Sequence, residues 1–390
     1  MLKEQNEIRI GPADMKAIPH PGVELRQMLE DRGWSQTDLV FVLGCHPKSV
    51  NQIINEKQGV SPAMSKALGE AFGLAPGHFS ELQRAFDLAS ADEPDPSVLL
   101  RAQMQKNYPI REMVKRGWIQ DGDADSLGKQ LARFFDVRDA ANVPYLAHSA
   151  KKTSYEERAI PPVQLAWLFR VKQIARAIAV PKYSERRLLD AVSKLREMLA
   201  APEEARHVPK ILGECGVRFV VVESLPSSKI DGVCFWLDEN SPVIGMSLRF
   251  DRIDNFWFVL RHEIEHALQG HGRGDPEGMI DAELQGDQAG TGSSVPEEER
   301  IANAAASDFC VPRQKMDSFI ARKNPFFYEK DVLAFAKLNN LHPALPVGQI
   351  QHATGRFDYL KKYQVKIRQF VLPGTIADGW GQSPALAMEI

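Results

Sequence analysis

Apolar residues near the start of the chain recur every three or four positions and are interrupted by short polar breaks. This spacing predicts several short helices within residues 20–90, because it places the apolar side chains on one face of each helix. Ser35 is suited to cap the second helix and Pro47 to begin the third, with a tight turn between them. We expect two further helices near residues 61–72 and 76–88, which would complete a compact all-α bundle.

The pattern changes after the acidic, proline-containing stretch ASADEPDPS, which we interpret as a linker. Helical spacing returns, and three short apolar runs, VRFVVVES, GVCFWL and PVIGMSL, then predict strands. This order indicates a multidomain chain, in which an all-α helix-turn-helix bundle precedes a mainly helical α+β domain with a small sheet. The expected divisions are the bundle at 17–90, a linker and helical connecting region at 91–160, the α+β domain at 161–356 and a C-terminal extension at 357–390.

Composition and charge narrow the possible classes of protein. A chain of 390 residues, 44% hydrophobic and 25% charged, is long enough for two or three folded domains. Its formal net charge of −3 argues against a uniformly basic nucleic-acid binder. Neither a secretory signal nor a run of about 18 apolar residues appears, so we expect a cytoplasmic protein with no membrane partner. The four scattered cysteines are interpreted as free thiols: Cys45, Cys215, Cys234 and Cys310.

The stretch NFWFVLRHEIEHALQG contains two histidines four positions apart. On a helix His262 and His266 lie about 40° apart, so both can bind one ion from the same side. Zinc takes imidazole nitrogens well, and a catalytic zinc site keeps one position open for water. Glu263 lies beside that face and is the candidate base for this water. The alternative is that the motif is only the polar face of an ordinary helix.

A catalytic zinc site needs a third protein ligand. The spacing of metzincins is excluded, because that class requires a histidine where this chain has Gly272. His271 is one position too early and is a weak candidate. A second helix that begins near Pro296 offers Glu299, and its many alanines would allow a close approach to the first helix. The neighbouring carboxylates of PEEE are explained more simply by the favourable field at a helix N-terminus.

These motifs together resemble the ImmA/IrrE family of zinc metallopeptidases over about residues 200–355. The resemblance implies a zincin-like domain that binds Zn²⁺ and has Glu299 as the third ligand. The sequence departs from the family pattern at Glu265, at Ala305 and in the long insertion between the two metal helices. The matching segments are His262-Glu263-x-x-His266, Glu299-x-x-Ala302-Asn303, Val311-Pro312, Leu341-His342-Pro343 and Val347-Gly348.

His342 lies in the matching segment Leu341-His342-Pro343. It is a candidate catalytic residue, because a histidine donor near the site would stabilise a developing oxyanion. The alternative is that His342 caps a turn before Pro343.

The second and third predicted helices have the proportions of a helix-turn-helix. The exposed face of the third helix carries polar residues that can bind base edges and phosphates. Residues 20–90 nevertheless contain six Lys or Arg against eight Asp or Glu, so one copy offers few phosphate contacts. A dimer or a basic N-terminal arm with Lys3, Arg9 and Lys16 would relieve this. The candidate DNA-binding residues are Gln36, Lys48, Ser49, Asn51, Gln52 and Asn55.

Residues 20–88 closely resemble the Xre-type domain of HigA-like antitoxins. The resemblance implies operator binding by a homodimer and repression of the protein's own operon. The matching residues are His20-Pro21-Gly22, Ser35-Gln36-Thr37, Phe79 and Leu82-Gln83.

Two hypotheses about function follow from the two halves. The first is a DNA-binding transcriptional regulator whose zinc metalloendopeptidase domain cleaves or inactivates a partner protein, in a toxin–antitoxin, phage-related or stress-response operon. The second is a non-proteolytic antitoxin and autorepressor whose zinc domain binds a toxin or senses a signal. An intact Glu263 favours the first, and the antitoxin-like N-terminal domain favours the second.

Overall fold

The computed structural model describes residues 18–137, 161–273 and 297–384. The chain divides into two compact units, Met1–Pro96 and Ser97–Ile390, which are described separately below. Of the helices in these three ranges, none combines the length and the apolar character that crossing a membrane requires.

The first unit is the expected helical bundle. Its core consists of apolar side chains from every helix, and Leu39, Leu68 and Phe79 have no exposed surface. The predicted helices are therefore confirmed, each within about three residues of its expected ends. The helices are α1 (Pro21–Arg32), α2 (Gln36–Leu43), α3 (Pro47–Ile54), α4 (Pro62–Phe72) and α5 (His78–Ser90).

Local signals in the sequence fix the turn between α2 and α3. The Ser35 hydroxyl accepts a hydrogen bond from the Asp38 backbone N–H at 3.2 Å, and the Asp38 carboxylate accepts one from the Ser35 N–H at 2.7 Å. This reciprocal capping begins α2, and Gly44 ends it in the left-handed conformation with φ of 58°. His46 then caps α3, because its Nδ1 accepts from the Lys48 N–H at 3.2 Å.

The second unit is mainly helical, with one small sheet. Its α-helices are α6 (Ser97–Asn107), α7 (Ile110–Lys115), α8 (Ala124–Phe134), α9 (Pro162–Arg176), α10 (Glu185–Glu197), α11 (Val208–Glu214), α12 (Ile253–Gln269), α13 (Glu297–Cys310), α14 (Arg313–Lys323), α15 (Glu329–Leu338), α16 (Ala344–Thr354) and α17 (Arg368–Val371). Short 3-10 turns occur at Met198–Ala200, Pro202–His207, Lys361–Tyr363 and Leu372–Gly374. The strands are β1 (Arg218–Val222), β2 (Gly232–Trp236), β3 (Pro242–Met246) and β4 (Ile376–Asp378).

The four strands form a mixed sheet in the order β2-β3-β1-β4. Strand β1 runs parallel to both β3 and β4, while β2 runs antiparallel to β3. Phe219 and Val221 contribute to a core that contains residues of α12, whereas Val220 and Val222 contribute to a core that contains residues of α9. The sheet is thus covered on both faces, which explains why the predicted strands are almost continuously apolar.

The sequence set apart a connecting region at 91–160 and a C-terminal extension at 357–390. From Ser97 onward, the described residues of both belong to the second unit. Residues 376–378 form β4, and Asp378 is buried with 3% of its surface exposed. Its carboxylate accepts hydrogen bonds from Trp118 Nε1 at 2.9 Å and from the Arg170 guanidinium. One buried carboxylate therefore joins the sheet, α9 and the segment between α7 and α8.

We predict that Asp378→Asn destabilises the second unit strongly, by about 3–5 kcal/mol, because it leaves the buried Arg170 charge without its partner. Urea unfolding followed by tryptophan fluorescence measures the change in the transition of the second unit. Asp136→Asn is the matched control, since Asp136 pairs with Arg176 at the surface and a loss of no more than about 1 kcal/mol is expected there. Equal effects of the two substitutions would contradict the prediction.

Candidate metal centre and nucleic-acid interface

Helix α12 carries the two histidines of the metal motif. Its apolar residues Trp257, Leu260, Ile264 and Ala267 are all buried, as the helical spacing predicts. The acidic residue Glu263 is buried as well, because α12 packs directly beneath β2. A Cβ atom added at Gly232 of β2 would come within 2.7 Å of Glu263 Oε1, so glycine is needed where the strand passes over this carboxyl group.

Three side chains converge between α12 and α13. His262 Nε2 lies 3.0 Å from His266 Nε2. Glu299 Oε2 lies 3.2 Å from the former nitrogen, and Glu299 Oε1 lies 3.3 Å from the latter. Among the described residues, these three side chains form the group whose possible ligand atoms lie close enough together to hold one ion. The three ligand atoms all lie within 4.8 Å of one another. The fully buried Ala302 and Ala306 allow α13 to approach α12 this closely.

The chemistry of these donors fits a zinc ion. Two imidazole nitrogens and one carboxylate make a three-ligand set that leaves a fourth tetrahedral position open. Burial alone would raise the pKa of Glu299, but hydrogen bonds from His262 and His266 outweigh it and hold that pKa at about 2. Glu299 is therefore ionised at neutral pH, as a metal ligand must be.

Glu263 lies beside this group without belonging to it. Burial raises the pKa of its carboxyl group to about 8; His266 opposes the shift, while the negative charges of Glu299 and Asp231 add to it. A dication bound by the neighbouring ligands would favour the ionised carboxylate and lower that pKa. The geometry thus places the Glu263 carboxyl group beside the three side chains that could hold an ion.

The described hydrogen bonds of His342 are to the start of α16 and to Leu199, not to the three candidate ligands. Its Nδ1 accepts a hydrogen bond from the Ala344 N–H at 3.2 Å, at the start of α16. Asp254 is the acidic group with the largest electrostatic effect on the pKa of His342. It lies in the first turn of α12, about 12 Å along the helix from His262. Burial lowers the pKa of His342, and Asp254 opposes this. The described contacts are those of a turn-capping residue, and they do not bring His342 into the ligand group.

Sequence reasoning missed two residues near the ligands. Gly232 has no side chain, which leaves room for the Glu263 carboxyl group beneath β2. A glycine at the start of a predicted strand was the sequence signal for such a close approach. His271, considered only as a weak ligand candidate, has its Nδ1 2.7 Å from His266 Nδ1, on the side of that ring away from His262. Residues 274–296, most of the insertion between the metal helices, lie outside the described residues.

The first unit presents the polar face expected of a DNA-reading helix. Lys48 and Asn51 on α3 and Asn55 at its C-terminal cap are exposed, and Ser49 and Gln52 are half-buried. The inward side of α3 is apolar, with Val50, Ile53 and Ile54 buried. The polar side chains of α3 therefore do not contribute to the core of the bundle.

Two contacts order the side chains of this face. The Asn51 amide donates to Gln36 Oε1 at 3.3 Å, so the start of α2 supports the middle of α3. The Asn55 amide donates to the Asn51 backbone oxygen at 2.8 Å. The arm residues Lys3, Arg9 and Lys16 lie outside the described residues.

Comparison with known proteins finds one matching family model and two similar proteins. A family model described as helix-turn-helix matches residues 25–79. Virulence-associated protein A′ of Dichelobacter nodosus is 32% identical over 85 residues, which is 22% of this chain and 74% of that protein. Virulence-associated protein I of the same organism is 32% identical over 92 residues, 23% of this chain and 84% of that protein. The chain therefore belongs to the family of these two virulence-associated proteins, and the helix-turn-helix match at residues 25–79 indicates a DNA-binding regulator.

Proposed function

We propose that this DNA-binding regulator is also a zinc-dependent metalloendopeptidase that cleaves a partner protein. The observation that carries the proposal is the convergence of His262, His266 and Glu299 beside the buried carboxyl group of Glu263. A structural metal site has no need of a buried carboxyl group that is not a ligand. A hydrolytic site does need one, since the attacking water must lose a proton.

The residues divide the chemistry between them. A zinc ion held by the three ligands supplies Lewis-acid chemistry and lowers the pKa of water. Glu263 accepts the proton of the attacking water at its carboxylate and passes it to the leaving amine. Because the carboxyl group lies under β2, the surrounding low dielectric strengthens each of these interactions.

The position of β2 supports a peptide as the substrate. In the described sheet β2 pairs on one side only, with β3. An edge strand can accept an extended peptide through its free backbone groups. Gly232 begins this edge strand and lies against Glu263, so a peptide paired with β2 would pass close to the proton acceptor.

We predict that the purified protein binds about one zinc ion per chain. His262→Ala and Glu299→Ala remove ligands and should abolish stoichiometric binding, whereas Glu263→Gln keeps all three ligands and should retain it. Elemental analysis after zinc loading and desalting measures the content. Absence of stoichiometric metal in the unmodified protein would refute the proposed metal site.

Cleavage is tested by comparing cells that express the unmodified protein with cells that express Glu263→Gln. Labelling of new protein N-termini should reveal at least one cleavage product that depends on Glu263, because only the proton acceptor differs between the two proteins. The non-proteolytic alternative predicts identical sets of N-termini and equal neutralisation of a toxin by both proteins. That result would replace the peptidase with an antitoxin whose zinc domain binds its toxin.

We further propose that the first unit binds operator DNA as a homodimer, with Asn51 reading a base edge and Lys48 contacting a phosphate. A single α3 spans only one half-site, and the domain has few positive charges for phosphate contacts. Two copies would double those contacts.

For the DNA interface we predict different consequences for these two residues. After selection of binding sites from random DNA, Asn51→Ala should cost about 1–3 kcal/mol and relax sequence preference at one position. Lys48→Ala should weaken all sites equally and reduce the slope of log affinity against log salt concentration by about one per contact. The control is Lys66→Ala on α4, an exposed lysine outside α3, which should change neither quantity. Equal behaviour of all three variants would show that α3 does not read DNA.

A further inference from the structure

The end of α12 turns the chain back onto a proposed metal ligand. Gly270 has φ of 71°, and its N–H donates to the Ala267 oxygen at 3.3 Å. The next N–H, of His271, donates to the His266 oxygen at 3.1 Å. This pair of bonds is the Schellman arrangement, which closes a helix and brings the residue after the glycine beside the last turn. The rings of His266 and His271 consequently lie with their centroids 5.0 Å apart.

The two nitrogens of His266 face different partners. Nε2 faces His262 and Glu299, whereas Nδ1 lies 2.7 Å from His271 Nδ1. A neutral imidazole carries one N–H, so a ring that binds a metal through Nε2 has its proton on Nδ1. That proton points at His271 Nδ1, which must then accept it.

The same reasoning assigns the proton of the second ring. When His271 accepts at Nδ1, its own proton is on Nε2. The nearby anion on that side is Glu298, whose Oε1 lies 3.9 Å from Nε2. The negative charge of Glu298 on that side favours a proton on Nε2, and hence the same neutral tautomer of His271. One of the carboxylates in the first turn of α13 thus has a role besides its effect on the helix dipole.

Contacts to β2 and the following loop hold the turn with His271 in place. Trp236 Nε1 donates to the His271 backbone oxygen at 3.0 Å. Arg273 places its guanidinium over the Trp236 ring, 5.0 Å from the centroid, and donates to the Glu239 oxygen at 2.7 Å. The backbone position of His271 is thus fixed by groups that do not depend on its side chain.

We propose that His271 is a positioning residue that fixes the tautomer and ring orientation of His266 for metal binding. The inference rests on the proposed zinc site. His271 is not itself placed as a ligand, because its Nδ1 faces the nitrogen of His266 that points away from His262 and Glu299. Hydrogen-bond partners behind a ligating histidine typically change metal affinity by about 10–100-fold.

The test is the zinc dissociation constant of the full-length chain, measured by competition with a chromophoric chelator. His271→Ala should weaken zinc binding by roughly 10–100-fold while the stoichiometry stays at about one ion per chain. His271→Asn should restore most of the affinity, because its side-chain oxygen can occupy the place of Nδ1 and accept the His266 proton. The visible spectrum of the cobalt-loaded protein gives a second readout, and it should shift in the alanine variant and return in the asparagine variant.

His352→Ala is the matched control, since it removes an exposed histidine from α16 and should leave the dissociation constant unchanged. Circular dichroism checks that each variant is folded. If the unmodified protein binds zinc and His271→Ala binds it within twofold, the positioning role is refuted. Complete loss of zinc, as in His266→Ala, would also overturn the inference by making His271 a ligand. Failure of the unmodified protein to bind zinc would instead refute the proposed function itself.

Discussion

The close packing of α12 against α13 is the contact on which the candidate metal centre depends. The two helices run antiparallel, because Glu299 at the start of α13 meets the end of α12, and Phe309 near the end of α13 meets Trp257 near its start. Alanines line the ligand end of the contact, and an aromatic pair occupies the other end. Small residues at one end allow the carboxylate to reach both histidines, and large ones at the other end fix the crossing of the helices.

Placing Glu263 under β2 is costly for the fold. A carboxyl group with a pKa raised to about 8 by burial is more favourable in water than in this site. The second unit contains another buried carboxylate, Asp378, but that group is paired with Arg170 and hydrogen-bonded by Trp118. Asp378 has the partners expected of a structural charge. In the part of the chain that the structure describes, Glu263 forms no such pair with an arginine or lysine. This difference is the one expected between a group that serves a reaction and a group that stabilises the fold, and it agrees with the proposed role of Glu263.

The elements that sequence reasoning found are those with strong local signals. Apolar periodicity, the Ser35 cap and the glycine stops sufficed for the first unit, and the ligand helix followed from its buried face. Strand β4 was missed because Ile376–Asp378 is too short to show a period and pairs with β1, about 150 residues earlier. For the same reason residues 357–390 were expected to be an extension.

Within the site, sequence reasoning found the proposed ligands but not the groups around them. The ligand set was inferred from a motif on each of two helices, together with a family resemblance. The environment of His266 depends on a helix-closing turn, and the burial of Glu263 depends on the path of β2. The metal-binding motifs by themselves reveal neither. His342 shows the reverse difficulty. A histidine before proline suits two roles, and the described contact with the Ala344 N–H is the one that a turn-capping role requires.

In the proposed enzyme, the metal would also connect folding to function. Two ligands come from α12 and one from α13, so zinc binding would cross-link the two helices at the point where their side chains are smallest. An ion that binds only the folded state at a thousand times its dissociation constant stabilises that state by about 4 kcal/mol. Without it, Glu299 keeps only the two histidines as partners, and Glu263 remains buried next to a second carboxylate. The same ion would thus offset the free-energy cost of burying Glu263. It would also supply the Lewis acid for the reaction in which Glu263 accepts a proton.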